Sequence, residues 1–136
     1  MKAKLPVIYI IDDDQIIILL HKAQVKTQLQ GMDVQAFHDA QEALETLASL
    51  NSTGQKNLIF LDINMPRMNG WQFLDQLQER VNCEDIKVII VTSSLSKSDK
   101  DKSTQYPMVI DYWEKPMGSA QLTELRERLG EWLPKN

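Results

Sequence analysis

Three short blocks of unbroken apolar residues set the tightest limit on how this chain can fold: "VIYII" (Val7–Ile11), "LIFL" (Leu58–Leu61) and "VIIV" (Val88–Val91). A strand with one face in water alternates apolar and polar residues. Continuous blocks instead fit strands covered on both faces, as in a parallel sheet. Two further β-rich runs, Val34–Phe37 and Val109–Trp113, bring the set to five, and the fourth run continues from Val88 to Thr92.

Segments of helical period separate the runs. The first is expected from about Gln15 to Leu29, stopping before Gly31. The second opens at "DAQE", where Asp39 as N-cap and Glu42 three residues on resemble a capping box; it continues to about Leu50, and "NSTGQK" follows as a loop. The third is expected from about Gly70 to Val81. The fifth follows Ser119, with Leu122, Leu125, Leu129 and Trp132 on one face and Pro134 as its stop. The fourth segment, "SKSDKDKSTQ" (Ser96–Gln105), has no apolar residue, so a helix there would bury little and be short or mobile, and a solvated loop competes with it evenly. Alternation of this kind predicts an α/β fold: a doubly wound five-stranded parallel sheet with helices on both faces.

At 136 residues the chain has the size of one domain, and it is read as one, over 1–136, with no output domain attached. With 43% hydrophobic and 25% charged residues it can bury a core. A net charge of −4 and no Lys/Arg cluster argue against nucleic acid as a partner. Cys83 is the only cysteine, which excludes an intrachain disulfide, suits a reducing compartment, and is read as an inert thiol. The apolar run after the basic start is too short for a signal peptide, and nothing approaches the ~20 apolar residues of a membrane span. The expected location is the cytoplasm, with no membrane association.

Ligands of open α/β sheets bind beyond the carboxyl ends of the strands. Asp12, Asp13 and Asp14 follow the first strand, Asp62 the third, and Lys115 the fifth, while Thr92 ends the fourth. Singly these have ordinary explanations: Asp14 before Gln15 fits a helix cap, and Lys115 fits a solvated turn. Asp62 resists such an explanation, because it follows four apolar residues, where an unpartnered charge is costly. Neighbouring carboxylates ~4 Å apart repel by roughly 4 kcal/mol at an effective dielectric near 20, so clustering them calls for a cation. Carboxylates without a Cys/His set suit a hard ion such as Mg²⁺. Such an ion beside a hydroxyl and an ammonium suits phosphoryl transfer, with a carboxylate as nucleophile.

"IIDDDQ", "LIFLDINMPRMNGW", "VIIVTSS" and "DYWEKP", in this order and spacing, resemble the receiver domain of two-component response regulators, the CheY-like fold, over about Leu5 to Leu133. The resemblance implies strand order 2-1-3-4-5 and a phosphorylation-controlled switch whose only catalysis is its own phosphorylation and dephosphorylation. Asp62 resembles the phosphoacceptor, supplied by a histidine kinase or histidine phosphotransfer protein. Asp12 and Asp13 resemble the acidic pair that binds Mg²⁺ together with Asp62, and Asn64 the position offering it a backbone carbonyl. Thr92 and Lys115 resemble the hydroxyl and ammonium that contact the phosphoryl group. Lys115–Pro116 is implied as a cis peptide, and Tyr112 as a rotating aromatic coupled to Thr92 that changes the partner face formed by the fourth helix, fifth strand and fifth helix. Gly70 is expected to supply backbone freedom in the loop entering the third helix.

The chain departs from the family pattern in places. Ser93 stands where Ala or Gly is frequent, and Ser94 lies near where the family controls attacking water. The run "IIILL" (Ile16–Leu20) is more apolar than one buried helix face needs, which leaves tight burial and a partner or dimer surface equally open. The downstream partner is unspecified, and the chain is expected to be a monomer or weak homodimer. Two rivals remain. A haloacid-dehalogenase-like phosphatase would use Asp12-x-Asp14, with Asp12 as nucleophile, but would leave Asp62 unexplained. A flavodoxin-like flavin carrier would place phosphate against three acids.

Overall fold

The computed structural model describes residues 5–50 and 54–133. Five parallel strands form one sheet: β1 (Val7–Ile11), β2 (Val34–Phe37), β3 (Asn57–Leu61), β4 (Ile86–Thr92) and β5 (Val109–Glu114), in the order β2-β1-β3-β4-β5. The helices between and after them are α1 (Gln15–Gln28), α2 (Ala40–Ser49), α3 (Gly70–Arg80), α4 (Lys97–Ser103) and α5 (Ser119–Leu129). The expected doubly wound topology is the one observed, and each expected strand lies within an observed one.

Both sheet faces are covered, which is why the central strands are apolar without interruption. Side chains alternate between faces along each strand. Tyr9, Ile11, Ile59, Leu61 and Val88 meet Leu44 and Leu47 of α2 and Phe73, Leu74 and Leu77 of α3. On the other face Ile8, Ile10, Leu58, Phe60, Ile89 and Val91 meet Ile18 and Val25 of α1 and Leu122 and Leu125 of α5.

Helix starts follow short polar caps. Asp14 Oδ1 accepts from the Ile16 and Ile17 N–H groups, opening α1. Asp39 caps α2 through the Gln41 N–H rather than in a reciprocal pair with Glu42. The reciprocal box belongs to α3 instead, where Asn69 and Gln72 exchange side-chain and backbone bonds. The final helix stops earlier than its apolar spacing suggests. Gly130, at φ 52°, breaks it after Leu129, and a 3-10 turn (Gly130–Trp132) brings Trp132 back onto the core. Pro134 and residues 51–53 of the loop after α2 lie outside the described residues.

The fourth segment is a helix, but a seven-residue one. It lacks an apolar face, and polar bonds and a neighbouring aromatic stack hold it instead. Ser96 caps it by accepting from the Asp99 N–H at 3.1 Å, and Ser94 Oγ donates to Asp99 at 2.7 Å. Just beyond it, Tyr106 stacks on Trp71 of α3 with ring centroids 5.7 Å apart, while Lys102 lies over the Trp71 ring at 5.1 Å.

Candidate functional site

The site is set by register. Ile11 of β1 pairs with Leu61 of β3, so the next residues, Asp12 and Asp62, leave the sheet side by side. The Asp62 N–H still donates to the Ile11 carbonyl at 3.0 Å. Thr92 sits buried at the end of β4, and its carbonyl accepts from the Lys115 N–H at 3.0 Å, which fixes the start of the β5–α5 loop.

Lys115 closes the group. Its Nζ lies 2.8 Å from Asp12 Oδ2 and 3.0 Å from Asp62 Oδ2. Each acid gives its other oxygen to a backbone donor: Asp12 Oδ1 accepts from the Asp14 N–H at 2.9 Å, and Asp62 Oδ1 from the Asn64 N–H at 3.2 Å. Burial pushes the Asp12 carboxyl above its usual range, against the opposing pull of the Lys115 ammonium. Burial alone would lower the Lys115 pKa, but hydrogen bonding to Asp12 and the charges of both acids hold it raised, so the ammonium stays protonated.

Carboxylate oxygens of Asp12, Asp13 and Asp62 lie within 4.8 Å of one another. One ammonium faces three carboxylates, which leaves the group negative. An all-oxygen donor set with excess negative charge fits a hard divalent cation. Asp14 does not join the group, being exposed and committed to capping α1. The Asp12–Asp14 pair that a phosphatase reading requires is therefore not formed.

A second set of contacts leads away from Thr92. The Ser94 N–H donates to Thr92 Oγ1 at 3.3 Å, and the Tyr112 hydroxyl donates to the Ser94 carbonyl at 2.7 Å. Ser94 also holds Asp99 of α4. Ser93 is exposed, and the Lys115–Pro116 peptide is cis. Cys83 is half-buried, and burial raises its thiol pKa, as suits an unreactive group.

Sequence reasoning passed over one buried polar group beside this site. His21 of α1 is 1% exposed, and its Nε2 accepts from the Met117 N–H at 3.1 Å. Its one signal in the sequence is placement: Ile18, His21 and Val25 share the buried stripe of α1, where a histidine needs a partner.

Fold and site together define a class: a doubly wound α/β protein with an acidic pocket, closed by a lysine, at the carboxyl edge of its sheet. The chain belongs to the response regulator receiver domain family, whose model matches residues 8–127. It is 33% identical over 92 residues to an uncharacterized response regulatory protein of Staphylococcus epidermidis, covering 68% of this chain and 34% of that protein. It is 30% identical over 92 residues to the sensor histidine kinase CheAY of Helicobacter pylori, covering 66% of this chain and 11% of that one. Among solved structures it resembles a two-component response regulator from Cytophaga hutchinsonii, with a TM-score of 0.83, 26% identity and coverage of 93% and 98% of the two chains. The chain spans well under half the length of these two curated relatives. Among the described residues no helix is long and apolar enough to cross a membrane.

Proposed function

We propose that this chain is a single receiver domain, a cytoplasmic switch set by phosphorylation of Asp62. The observation that carries the reading is the Lys115 ammonium bridging buried Asp12 and Asp62. An Asp62 carboxylate oxygen attacks the phosphorus of a phosphohistidine on a histidine kinase or histidine phosphotransfer protein. The P–N bond breaks, an O–P bond forms, and the imidazole leaves with a proton. Asp12, Asp13, Asp62 and the Asn64 carbonyl would hold Mg²⁺, which neutralises phosphoryl oxygens. Lys115 and the Thr92 hydroxyl serve the remaining phosphoryl oxygens. The domain turns over no external substrate beyond its own phosphorylation and dephosphorylation.

The contacts from Thr92 through Ser94 to Tyr112 support an output route. Movement of Thr92 toward a phosphoryl group would disturb the Ser94 backbone, the Tyr112 hydroxyl and, through Asp99, α4. The face that changes is α4–β5–α5, read by a downstream protein. On α1, Ile16, Leu19 and Leu20 are 69%, 67% and 49% exposed, immediately after the acidic pair. That patch supports a seat for the phosphodonor. A few such side chains cover far less than the ~800 Å² per partner of a stable dimer, which favours a transient encounter and a monomer or weak homodimer.

The test is labelling by acetyl phosphate or beryllofluoride with Mg²⁺, read by mass spectrometry or a structure. Asp62 is the expected site, and Asp13→Asn should weaken Mg²⁺ binding by tenfold or more. Labelling at Asp12, or equal labelling of wild type and Asp62→Asn, would overturn the proposal.

A further inference from the structure

We infer that His21 is a positioning residue that holds the β5–α5 loop, and with it Lys115, against Asp12 and Asp62. The inference rests on the reading of Asp62 as phosphoacceptor. Lys115 works through a long, flexible side chain, so its ammonium stays between Asp12 and Asp62 only if the backbone beneath it is fixed. Three backbone donors fix that loop. The Lys115 N–H donates to the Thr92 carbonyl at 3.0 Å, and the Gly118 N–H to Gln121 Oε1 at 2.9 Å. Pro116 has no N–H. The donor between them is the Met117 N–H, and His21 Nε2 accepts from it at 3.1 Å.

The first of these bonds ties the loop to β4, and the Gly118 bond stays within α5. The His21 bond reaches α1, the helix that begins just after Asp12 and Asp13. Because Asp14 caps α1 while its own N–H donates to Asp12, Asp12 is tied to the start of α1. His21 therefore links the helix that anchors Asp12 to the loop that holds the ammonium. The group is well suited to the task. Its ring is 1% exposed, and with Nε2 accepting, the neutral imidazole carries its proton on Nδ1. Burial first, and the Lys115 charge second, lower its pKa to about 4, so the acceptor persists at neutral pH.

The test compares His21→Leu and His21→Met, which lack an acceptor, with His21→Gln, which offers one. Each is phosphorylated with acetyl phosphate, a donor too small to depend on protein docking, and Mg²⁺ affinity is measured in parallel. With Lys115 loosened, the maximal rate of Asp62 labelling is expected to fall at least fivefold in the Leu and Met variants. Mg²⁺ affinity should hold or tighten, because the ammonium competes with the ion for Asp12 and Asp62. His21→Gln should restore most of the rate. A merely structural role would lower rate and Mg²⁺ affinity together, or neither. Wild-type rates in a folded Leu or Met variant would overturn the inference. In the wild type, NMR should detect scalar coupling between the Met117 amide and His21 Nε2, and its absence would overturn the inference even if both variants failed to fold. Wild type unlabelled at Asp62 would instead overturn the functional reading on which it rests.

Discussion

At the scale of single residues, Gly70 shows how close packing constrains a position that looks merely permissive. The sequence suggests backbone freedom there, but Gly70 is not among the glycines with positive φ. What it supplies is space. A Cβ on Gly70 would lie 2.7 Å from Ile63 Cα and 2.8 Å from the Asp62 carbonyl oxygen, both backbone atoms that cannot swing aside. Alanine would add about 0.5–1 kcal/mol of helix preference at the start of α3. Overpacking costs about 1–3 kcal/mol, and here it presses on the backbone of Asp62. Gly70→Ala should therefore lower stability in urea unfolding and slow Asp62 labelling in the same protein. Unchanged stability and labelling would mean that the loop yields without cost. The acids show the converse, since their places at a helix start and at strand ends can be read from the sequence. Asp14 stood next to a helix start and caps it, while Asp12 and Asp62 followed apolar strands and could be stable only with partners.

At the scale of elements, legibility tracks where the stabilising contacts lie in the sequence. β1, β3 and β4 could be read because burial on both faces writes itself locally as unbroken apolar runs. α4 could not, because its local bonds are polar and the aromatic contacts that pin it come from elsewhere. Trp71 lies on α3, and its stack with Tyr106 and its contact with Lys102 pin a helix that has no apolar face of its own. The Tyr106 hydroxyl adds a 2.8 Å bond to Asp75, again on α3. His21 was hidden for the same reason, its partner being Met117, on the loop before α5. Removing the Trp71 anchor should loosen α4 measurably. An aromatic pair and a cation–π contact contribute about 0.5–1.5 and 0.5–1 kcal/mol, and 1.4 kcal/mol is tenfold in an opening equilibrium. Trp71→Ala should speed amide hydrogen exchange across residues 97–103 by about tenfold, while Trp71→Phe has a smaller effect. Equal exchange in both variants and wild type would show that the Ser94, Ser96 and Asp99 bonds suffice to hold α4.

At the scale of the whole molecule, the two cores and the site stand or fall together, because Asp12, Asp62, Thr92 and Lys115 come from four strand ends and meet only in the assembled sheet. Groups whose protonation changes on folding should therefore appear in the global stability, and the shift of His21 spans mildly acidic solution. Its pKa falls from 6.5 to about 4 on folding, so between those values the unfolded chain binds more protons than the folded one. Stability then rises with pH across this window. It is complete above about 6.5 and is lost as pH falls toward 4, because the buried ring resists the charge that the free ring accepts. A shift of this size corresponds to about 3 kcal/mol, at about 1.4 kcal/mol per pH unit. Asp12 has the opposite sign. Its raised pKa makes the folded state take up a proton before the unfolded one, which blunts the loss at the acidic end. Asp99, held low chiefly by the Ser94 hydroxyl, loses its contribution only below the usual carboxylate range. Urea unfolding between pH 4.5 and 7 without divalent ions, so that no metal adds its own linkage, should show the falling stability in wild type. It should show a much flatter profile in His21→Gln, which keeps the acceptor but has no ring to titrate. Parallel profiles would mean that His21 does not carry the acid sensitivity.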